Sequence, residues 1–139
     1  MKEEKGDFEM GLDNGVVIKN VTRADLPKLM RFPSDCDYIK GEVEICYWRK
    51  CWGLRNAFLH HRFLNSDPDQ WQFKLSVDDV DYLRALIVTY LKHPNDWDDS
   101  IWEFSEIKHN LRAQRWNLLL LRFWMEKHPD KEVYFYDSY

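Results

Sequence analysis

The chain ends in the nine residues KEVYFYDSY, Lys131 to Tyr139, and this stretch decides its fold class. Apolar and polar residues alternate from Glu132 to Tyr136, which is typical of a β-strand with one buried face. A single strand leaves its backbone groups unpaired and therefore requires a partner. The only other good candidate is Val16 to Val21, which follows the turn signal Asn14-Gly15. We predict that the two ends of the chain pair in one small sheet.

Three helices are predicted between these strands. The first runs from Gly41 to about Leu64, where apolar residues fall within one half of a helical projection. The second begins at Ser76, in a word similar to a capping box, and runs to about Lys92. The third begins near Ser100, in a second capping-box word, and runs to about Lys127. The predicted fold class is α+β, mainly a three-helix bundle packed on a small sheet formed by the N- and C-terminal strands.

Length and composition indicate one globular domain. The chain has 139 residues, of which 45% are hydrophobic and 32% are charged, and this is not the composition of a disordered protein. The first nine residues are charged and lack periodicity. We therefore expect a loose N-terminal extension over residues 1–9 and a single globular domain over residues 10–139.

Charge, hydropathy and cysteine content narrow the partners and the compartment. The formal net charge is −4, which argues against a nucleic acid polymer as partner because the overall field repels phosphate. No uninterrupted apolar run is longer than four residues, the length of Leu118 to Leu121, and this is far too short for a membrane span. Three cysteines form an odd set, and no secretory signal opens the chain. We expect a cytoplasmic protein with reduced thiols and no membrane association.

The segment YWRKCWGLRN, Tyr47 to Asn56, is the strongest candidate for a functional surface because it mixes two tryptophans with three cations. On the predicted first helix, Arg49, Gly53, Asn56 and His60 share one polar stripe. A glycine on a solvated helix face costs about 1 kcal/mol relative to alanine. Its presence favours close approach of a ligand or of another backbone. The alternative interpretation is a plain solvated face.

Arg55 falls near the centre of the apolar side of the same projection, between Trp48 and Trp52. An unpaired buried guanidinium is very costly. We therefore favour either an ion pair with Asp79 or Glu103 of another helix, or a side chain that snorkels past the tryptophans so that its charge reaches water. The alternative is an arginine held over tryptophan faces, where it would stack on a base or bind a phosphate. The complete set of predicted ligand-binding residues is Trp48, Arg49, Trp52, Gly53, Arg55, Asn56 and His60.

The predicted third helix carries more large apolar residues than one face can bury. One interpretation is a central core helix with flanking salt bridges. The other is a homodimer interface that uses Trp116, Leu120 and Trp124.

Metal and catalytic signals are weak. Asp96, Asp98, Asp99 and Glu103 are close in sequence, but a helix N-terminus already accounts for acidic residues there. On a helix, Cys46 and Cys51 would lie about 140° apart and could not share one ion. We find no glycine-rich phosphate loop, no Ser-His-Asp order and no paired catalytic carboxylates. We predict no metal, no cofactor and no catalytic residue.

Three words of the sequence carry a resemblance: MGLDNG (Met10–Gly15), EVEICYWRK (Glu42–Lys50) and VYFYDSY (Val133–Tyr139). Together they resemble a group of small uncharacterised phage and prophage proteins, although they do not cover the second and third predicted helices. The resemblance implies a natural start at Met10 and an origin in a virus or mobile element. The group has no assigned activity, so no catalytic residue is implied. This chain departs from the pattern at Trp52 and Arg55, where the group tends to carry polar Asn and His.

Two functional hypotheses arise from these observations. The first is a non-enzymatic phage or mobile-element protein that holds an anionic small molecule, such as a nucleotide, in a cationic-aromatic pocket. The second is a protein-interaction module of anti-defence type, which inhibits a host protein through an acidic or aromatic surface. Either would act in the cytoplasm, that of the host cell if the protein is viral. An enzyme ranks last because no general base stands beside a nucleophile.

Overall fold

The computed structural model describes residues 13–49, 51–63, 72–93 and 101–138, and within them the side chains of all but residues 52, 62, 63 and 101–110. The predicted extension over residues 1–9 lies outside these ranges. The strands are β1 (Asp13–Lys19), β2 (Glu42–Arg49), β3 (Gln72–Lys74) and β4 (Val133–Ser138). The helices are α1 (Trp52–Phe63), α2 (Val77–Lys92) and α3 (Ile101–Lys127), and a short 3-10 turn spans Arg23–Asp25.

The strands form one antiparallel sheet in the order β2-β1-β4-β3. Strand β1 pairs with β4, and Val16 lies opposite Phe135. The predicted pairing of the two terminal strands is therefore confirmed, and they form the centre of the sheet. One hydrophobic cluster joins residues from all four strands and all three helices. The α+β class with three helices is confirmed, whereas a three-helix bundle is not: α3 packs on both α2 and β2.

The predicted first helix, which was expected to begin at Gly41, is wrong in its first part, because Glu42–Arg49 (EVEICYWR) forms strand β2. A β-bulge in β2 explains the error: Cys46 lies opposite Val16 and Glu44 lies opposite Val17, so Ile45 is the extra residue. As a result, the consecutive residues Ile45 and Cys46 are both fully buried. The bulge therefore interrupts the two-residue alternation that marks a strand, and the remaining apolar run fits a helix equally well. The helix begins only at Trp52.

Helix α2 follows its local sequence signals. The backbone N–H of Asp79 donates to the Ser76 hydroxyl at 3.1 Å, and the Ser76 N–H donates to the Asp79 carboxylate at 2.9 Å. This reciprocal capping box satisfies two backbone donors that the first helical turn leaves free. Helix α3 ends at Lys127, as predicted. The predicted capping box at Ser100 and Glu103 lies outside the described side chains.

Two amide side chains of α3 donate hydrogen bonds to backbone carbonyls of β2, which is an edge strand of the sheet. Asn117 is fully buried and donates to the carbonyls of Ile45 at 2.9 Å and Arg31 at 2.7 Å. Its carbonyl oxygen accepts from the Arg31 N–H at 2.8 Å. Gln114 donates to the carbonyl of Tyr47. An edge strand with free carbonyls would be a template for further strand pairing, so these contacts close that edge.

Candidate functional site

The two faces of the sheet differ in character. Val16, Ile18 and Phe135 point into the core, and successive side chains of a strand point to opposite sides. We call the opposite side the outer face. It carries, among others, the residues Asp13, Gly15, Val17, Glu44, Tyr47, Tyr134 and Tyr136, and no helix is packed on it in the described part of the chain.

Tyr136 crosses the outer face of three strands. A Cβ atom placed on Gly15 would lie 2.4 Å from Cε2 of the Tyr136 ring and 2.5 Å from the backbone oxygen of Cys46. The ring therefore lies directly over Gly15 of β1, where only glycine leaves room for it. This position allows its hydroxyl to donate to the Glu44 carboxylate on β2 at 2.5 Å. Because Gly15 of β1 has no side chain, the Tyr136–Glu44 hydrogen bond can connect β4 with β2 across it.

A second tyrosine and a second carboxylate lie beside this pair. The Tyr47 hydroxyl donates to the Asp13 carboxylate at 2.8 Å. Burial, and then the bond to Asp13, raises the pKa of Tyr47 to about 12. Burial, and then the bond to Glu44, also raises the pKa of Tyr136. Both phenols are therefore neutral hydrogen-bond donors at physiological pH.

The surroundings of the Glu44 carboxylate disfavour its charged form. Burial raises its pKa most, the hydrogen bond from Tyr136 lowers it, and the negative charge of Asp13 raises it again. Perturbed carboxylates of this kind are concentrated at binding and catalytic sites, although structural networks also produce them.

Two neighbouring cavities open on this cluster. One has a volume of about 210 Å³ and lies between the strands and the loop that carries Tyr38 and Ile39. The other has a volume of about 620 Å³ and lies between the strands and the loop over residues 33–35. Both are lined by Tyr38, Glu44 and Tyr136, so we treat them as one groove. Tyr38 is 84% exposed and forms part of its rim.

The groove is acidic. Its lining includes the four carboxylates of Asp35, Asp37, Glu42 and Glu44, and among the described residues it includes no lysine, arginine or histidine. Three cations near its border each lie close to a carboxylate. Lys19 lies 3.9 Å from Glu42, Arg23 lies 3.0 Å from Asp37 and Arg49 lies 3.9 Å from Asp13.

The structure separates the site residues predicted from the sequence. Trp48 lies on the core side of β2, with its ring centroid 6.1 Å from that of Phe135. Arg49 is exposed at the end of β2, so the helix face that it was predicted to share with Gly53 does not exist. On α1, Gly53 is buried, whereas Asn56 and His60 are exposed. The side chain of Trp52 lies outside the described ones. Ligand binding by these residues stays a prediction.

Arg55 makes the ion pair that we favoured, but with a different partner. Its guanidinium donates two hydrogen bonds to the Asp137 carboxylate of β4, from Nε to Oδ1 at 3.1 Å and from NH2 to Oδ2 at 2.7 Å. The Arg55 side chain is 15% exposed and that of Asp137 only 4%. Asn14 of β1 donates to the same carboxylate at 2.8 Å. Asp79, one expected partner, caps α2, and the side chain of Glu103 lies outside the described ones.

The predicted dimer face is partly covered. Trp124 is 7% exposed and donates its indole N–H to the carbonyl of Asp25 at 3.1 Å. Trp116 is 40% exposed and donates to the carbonyl of Leu29, while Leu120 packs on the core. The homodimer stays a prediction.

Neither a metal site nor a membrane span is found in the described part of the chain. Within it, no group of three histidine, cysteine or acidic side chains could hold a metal ion. The predicted acidic cluster over residues 96–99 lies outside it. Cys46 is fully buried in β2, and burial raises the pKa of its thiol well above the ordinary value. None of the described helices combines the length and the apolarity that crossing a membrane requires.

Comparison with known proteins does not assign a function to this groove. No family model matches this chain, and neither the curated proteins nor the solved structures give a match. The resemblance to phage and prophage proteins stays a prediction.

We expect a Gly15→Ala variant to lose about 1–3 kcal/mol of unfolding free energy, as for other over-packed sites. The new methyl group would meet both the Tyr136 ring and a backbone oxygen. Chemical denaturation measures the loss, and the Tyr136 ring resonances report its displacement from Glu44. Because Tyr136→Ala removes one of the two clashes, adding Gly15→Ala to that variant should cost less than adding it to the wild type. A Gly15→Ala protein with wild-type stability and unmoved Tyr136 resonances would contradict the close packing.

We expect Glu44 to make stability fall as pH rises. Because its folded-state pKa is raised from the ordinary value of 4.5, the folded protein holds this proton more tightly than the unfolded chain does. The stabilising contribution is therefore full below about pH 4.5 and is lost as pH rises through the folded-state pKa. Urea unfolding at several pH values should show that wild type loses stability relative to Glu44→Gln across this window. Tyr136→Phe should enlarge the effect, because it removes the bond that lowers the pKa. Parallel pH profiles for wild type and Glu44→Gln would refute this origin.

Proposed function

We propose that this protein is a non-enzymatic protein-interaction module whose groove binds a positively charged segment of a partner protein. The observation that carries the proposal is the lining of the groove, which combines four carboxylates and three tyrosines with no described cation. Charge complementarity of this kind selects partners and accelerates their encounter.

The arrangement of Glu44 indicates why a cation would bind there. Its charge is disfavoured by burial and by the nearby charge of Asp13. A partner cation would offset both effects, because opposite charges attract more strongly where water is partly excluded. Tyrosine rings supply large apolar contact area with a polar tip, and they are enriched at protein interfaces.

The same charges bear on the two hypotheses drawn from the sequence. A pocket for an anionic small molecule requires free cations near Trp48, yet Arg49 and Arg55 each lie beside a carboxylate. The groove fits the second hypothesis better, in which an acidic and aromatic surface binds a protein. We retain as part of the proposal that this protein originates in a phage or mobile element and inhibits a host protein in the cytoplasm.

Peptides of equal length and graded net charge test the proposal. We expect affinity, measured by fluorescence anisotropy, to rise with positive charge and to weaken when salt is raised from about 0.05 M to about 0.5 M. Glu44→Gln should weaken the binding of basic peptides about tenfold, as expected for loss of a charge-assisted contact. Glu126→Gln is the matched control, because it makes the same charge change on α3, where Glu126 pairs with Arg122. Equal or tighter binding of acidic peptides would overturn the proposal.

A further inference from the structure

The outer face already contains one cation bound by the same kinds of group that line the groove. Lys19 donates to the Gln72 side-chain oxygen at 2.7 Å, lies 3.9 Å from the Glu42 carboxylate and stands 4.3 Å from the centroid of the Tyr134 ring. A carboxylate, an amide oxygen and a tyrosine ring thus hold an ammonium group at the border of the groove.

A neighbouring set of groups, around Glu44, holds no such cation among the described residues. Glu44 accepts from Tyr136 through Oε2, and among the described residues its Oε1 accepts no hydrogen bond and no cation lies within salt-bridge distance. Tyr47 and Tyr136 both lie opposite Gly15, in the outer-face row next to that of Glu44, and the cavity of about 210 Å³ opens beside Glu44. The two sets therefore have similar chemistry, but among the described residues a cation occupies the set around Lys19 and none occupies the set around Glu44.

The chemistry of this second set favours a guanidinium over an ammonium group. Glu44 is partly removed from water, and a guanidinium is more weakly hydrated than an ammonium group, so it loses less on entering. Its planar fork donates to a carboxylate in a fixed direction, and its flat face stacks on aromatic rings. Tyr136 and Tyr38 line the cavity and provide such rings.

We infer that the groove is an arginine-binding site: one arginine of the partner segment donates to Glu44 and stacks on the tyrosines around it. This inference rests on the proposed function, because it names the residue of the basic segment that anchors it. A free divalent metal ion is a poorer occupant, since the described residues here provide no cluster of three ligands. A basic protein segment also extends from the smaller cavity into the adjoining one of about 620 Å³, which a single small cation leaves empty.

The test compares short peptides that differ at one central residue, which is arginine, lysine or citrulline in an otherwise identical basic sequence. Citrulline keeps the shape of arginine without its charge. We expect the arginine peptide to bind about tenfold more tightly than the citrulline peptide, and more tightly than the lysine peptide. Glu44→Gln should reduce arginine binding to the level of citrulline, whereas Glu126→Gln should leave the difference intact. Circular dichroism of each variant verifies that it is folded.

Two negative outcomes separate the inference from the function on which it rests. If the arginine, lysine and citrulline peptides bind equally well, the arginine anchor is refuted while the interaction module survives. If none of the basic peptides binds, both the anchor and the proposed function fail. Tyr136→Phe is a second variant: it keeps the stacking ring and removes the hydroxyl, so it should retain the preference for arginine over citrulline. Loss of that preference in a folded Tyr136→Phe protein would also overturn the stacking arrangement.

Discussion

An Arg55→Ala variant is expected to lose about 3–5 kcal/mol of unfolding free energy, the range seen when one partner of a buried ion pair is removed. The loss arises mainly from Asp137, whose side chain is only 4% exposed and would be left without the guanidinium. The pair joins α1 to β4, and through Asn14 it also involves β1. Removing it therefore affects the contact between the central strands and the first helix.

Chemical denaturation measures this loss, and a double variant separates its causes. In Arg55→Ala with Asp137→Ala, no buried charge is left without a partner, so we expect part of the lost stability to return. Exposed Arg49 provides a matched control. Arg49→Ala should change stability by no more than about 0.5 kcal/mol, as for ordinary surface substitutions. An Arg55→Ala protein as stable as the Arg49→Ala protein would contradict the structural role of the pair.

An Asn117→Ala variant is expected to lose about 2–4 kcal/mol, because a buried network is broken and backbone groups lose their partners. Asn117 makes three hydrogen bonds, one to Ile45 of β2 and two to Arg31 in the preceding loop. Its removal leaves the Ile45 carbonyl without this donor and also removes the two hydrogen bonds that join Arg31 to α3. The same loop continues into residues 33–39, several of which line the groove. The variant therefore tests whether the Asn117 hydrogen bonds hold this wall of the groove in place.

Thermal or chemical denaturation gives the stability change, and hydrogen exchange locates it. The amide of Arg31 should exchange faster in Asn117→Ala, because its acceptor is the Asn117 side chain. Arg112→Ala, an exposed substitution on the same helix, should leave both measurements near wild type. Unchanged protection of the Arg31 amide would show that Asn117 does not hold the loop.

Local signals were enough to predict several elements. The alternation in EVYFY and the β-branched run after Asn14-Gly15 identified the two terminal strands, and pairing followed because neither could stand alone. The Ser76 and Asp79 spacing located the start of α2. These features depend on neighbouring residues, which is why the sequence alone predicts them.

Strand β2 could not be predicted in the same way, because its bulge is a property of its pairing with β1. Two consecutive buried residues, Ile45 and Cys46, break the alternation. The helical projection therefore placed Arg49 on one face with Gly53, and it predicted a cationic stripe that the strand separates. Arg55 was predicted to need a partner on physical grounds, but Asp137 becomes its neighbour only through the packing of α1 on the end of the sheet.

The acidic groove was missed for a related reason. Asp13, Glu44 and Tyr136 come from three strands, and only the register of β1 with β2 and β4 brings them together. One signal was present in the sequence: Glu44 and Tyr136 alternate with apolar residues in EVEI and VYFY. Treating both words as strands would have placed both residues on the polar side of a sheet.

Mapping where a basic peptide binds tests the central claim most directly. In a titration of isotope-labelled protein followed by nuclear magnetic resonance, we predict that an arginine-containing peptide shifts the resonances of Gly15, Val17, Glu44, Tyr47 and Tyr136. A nucleotide added to the same sample should leave these resonances unchanged. Shifts that instead cluster on Arg49, Asn56 and His60, and that appear with the nucleotide rather than with the peptide, would contradict the account and support an anionic ligand beside α1.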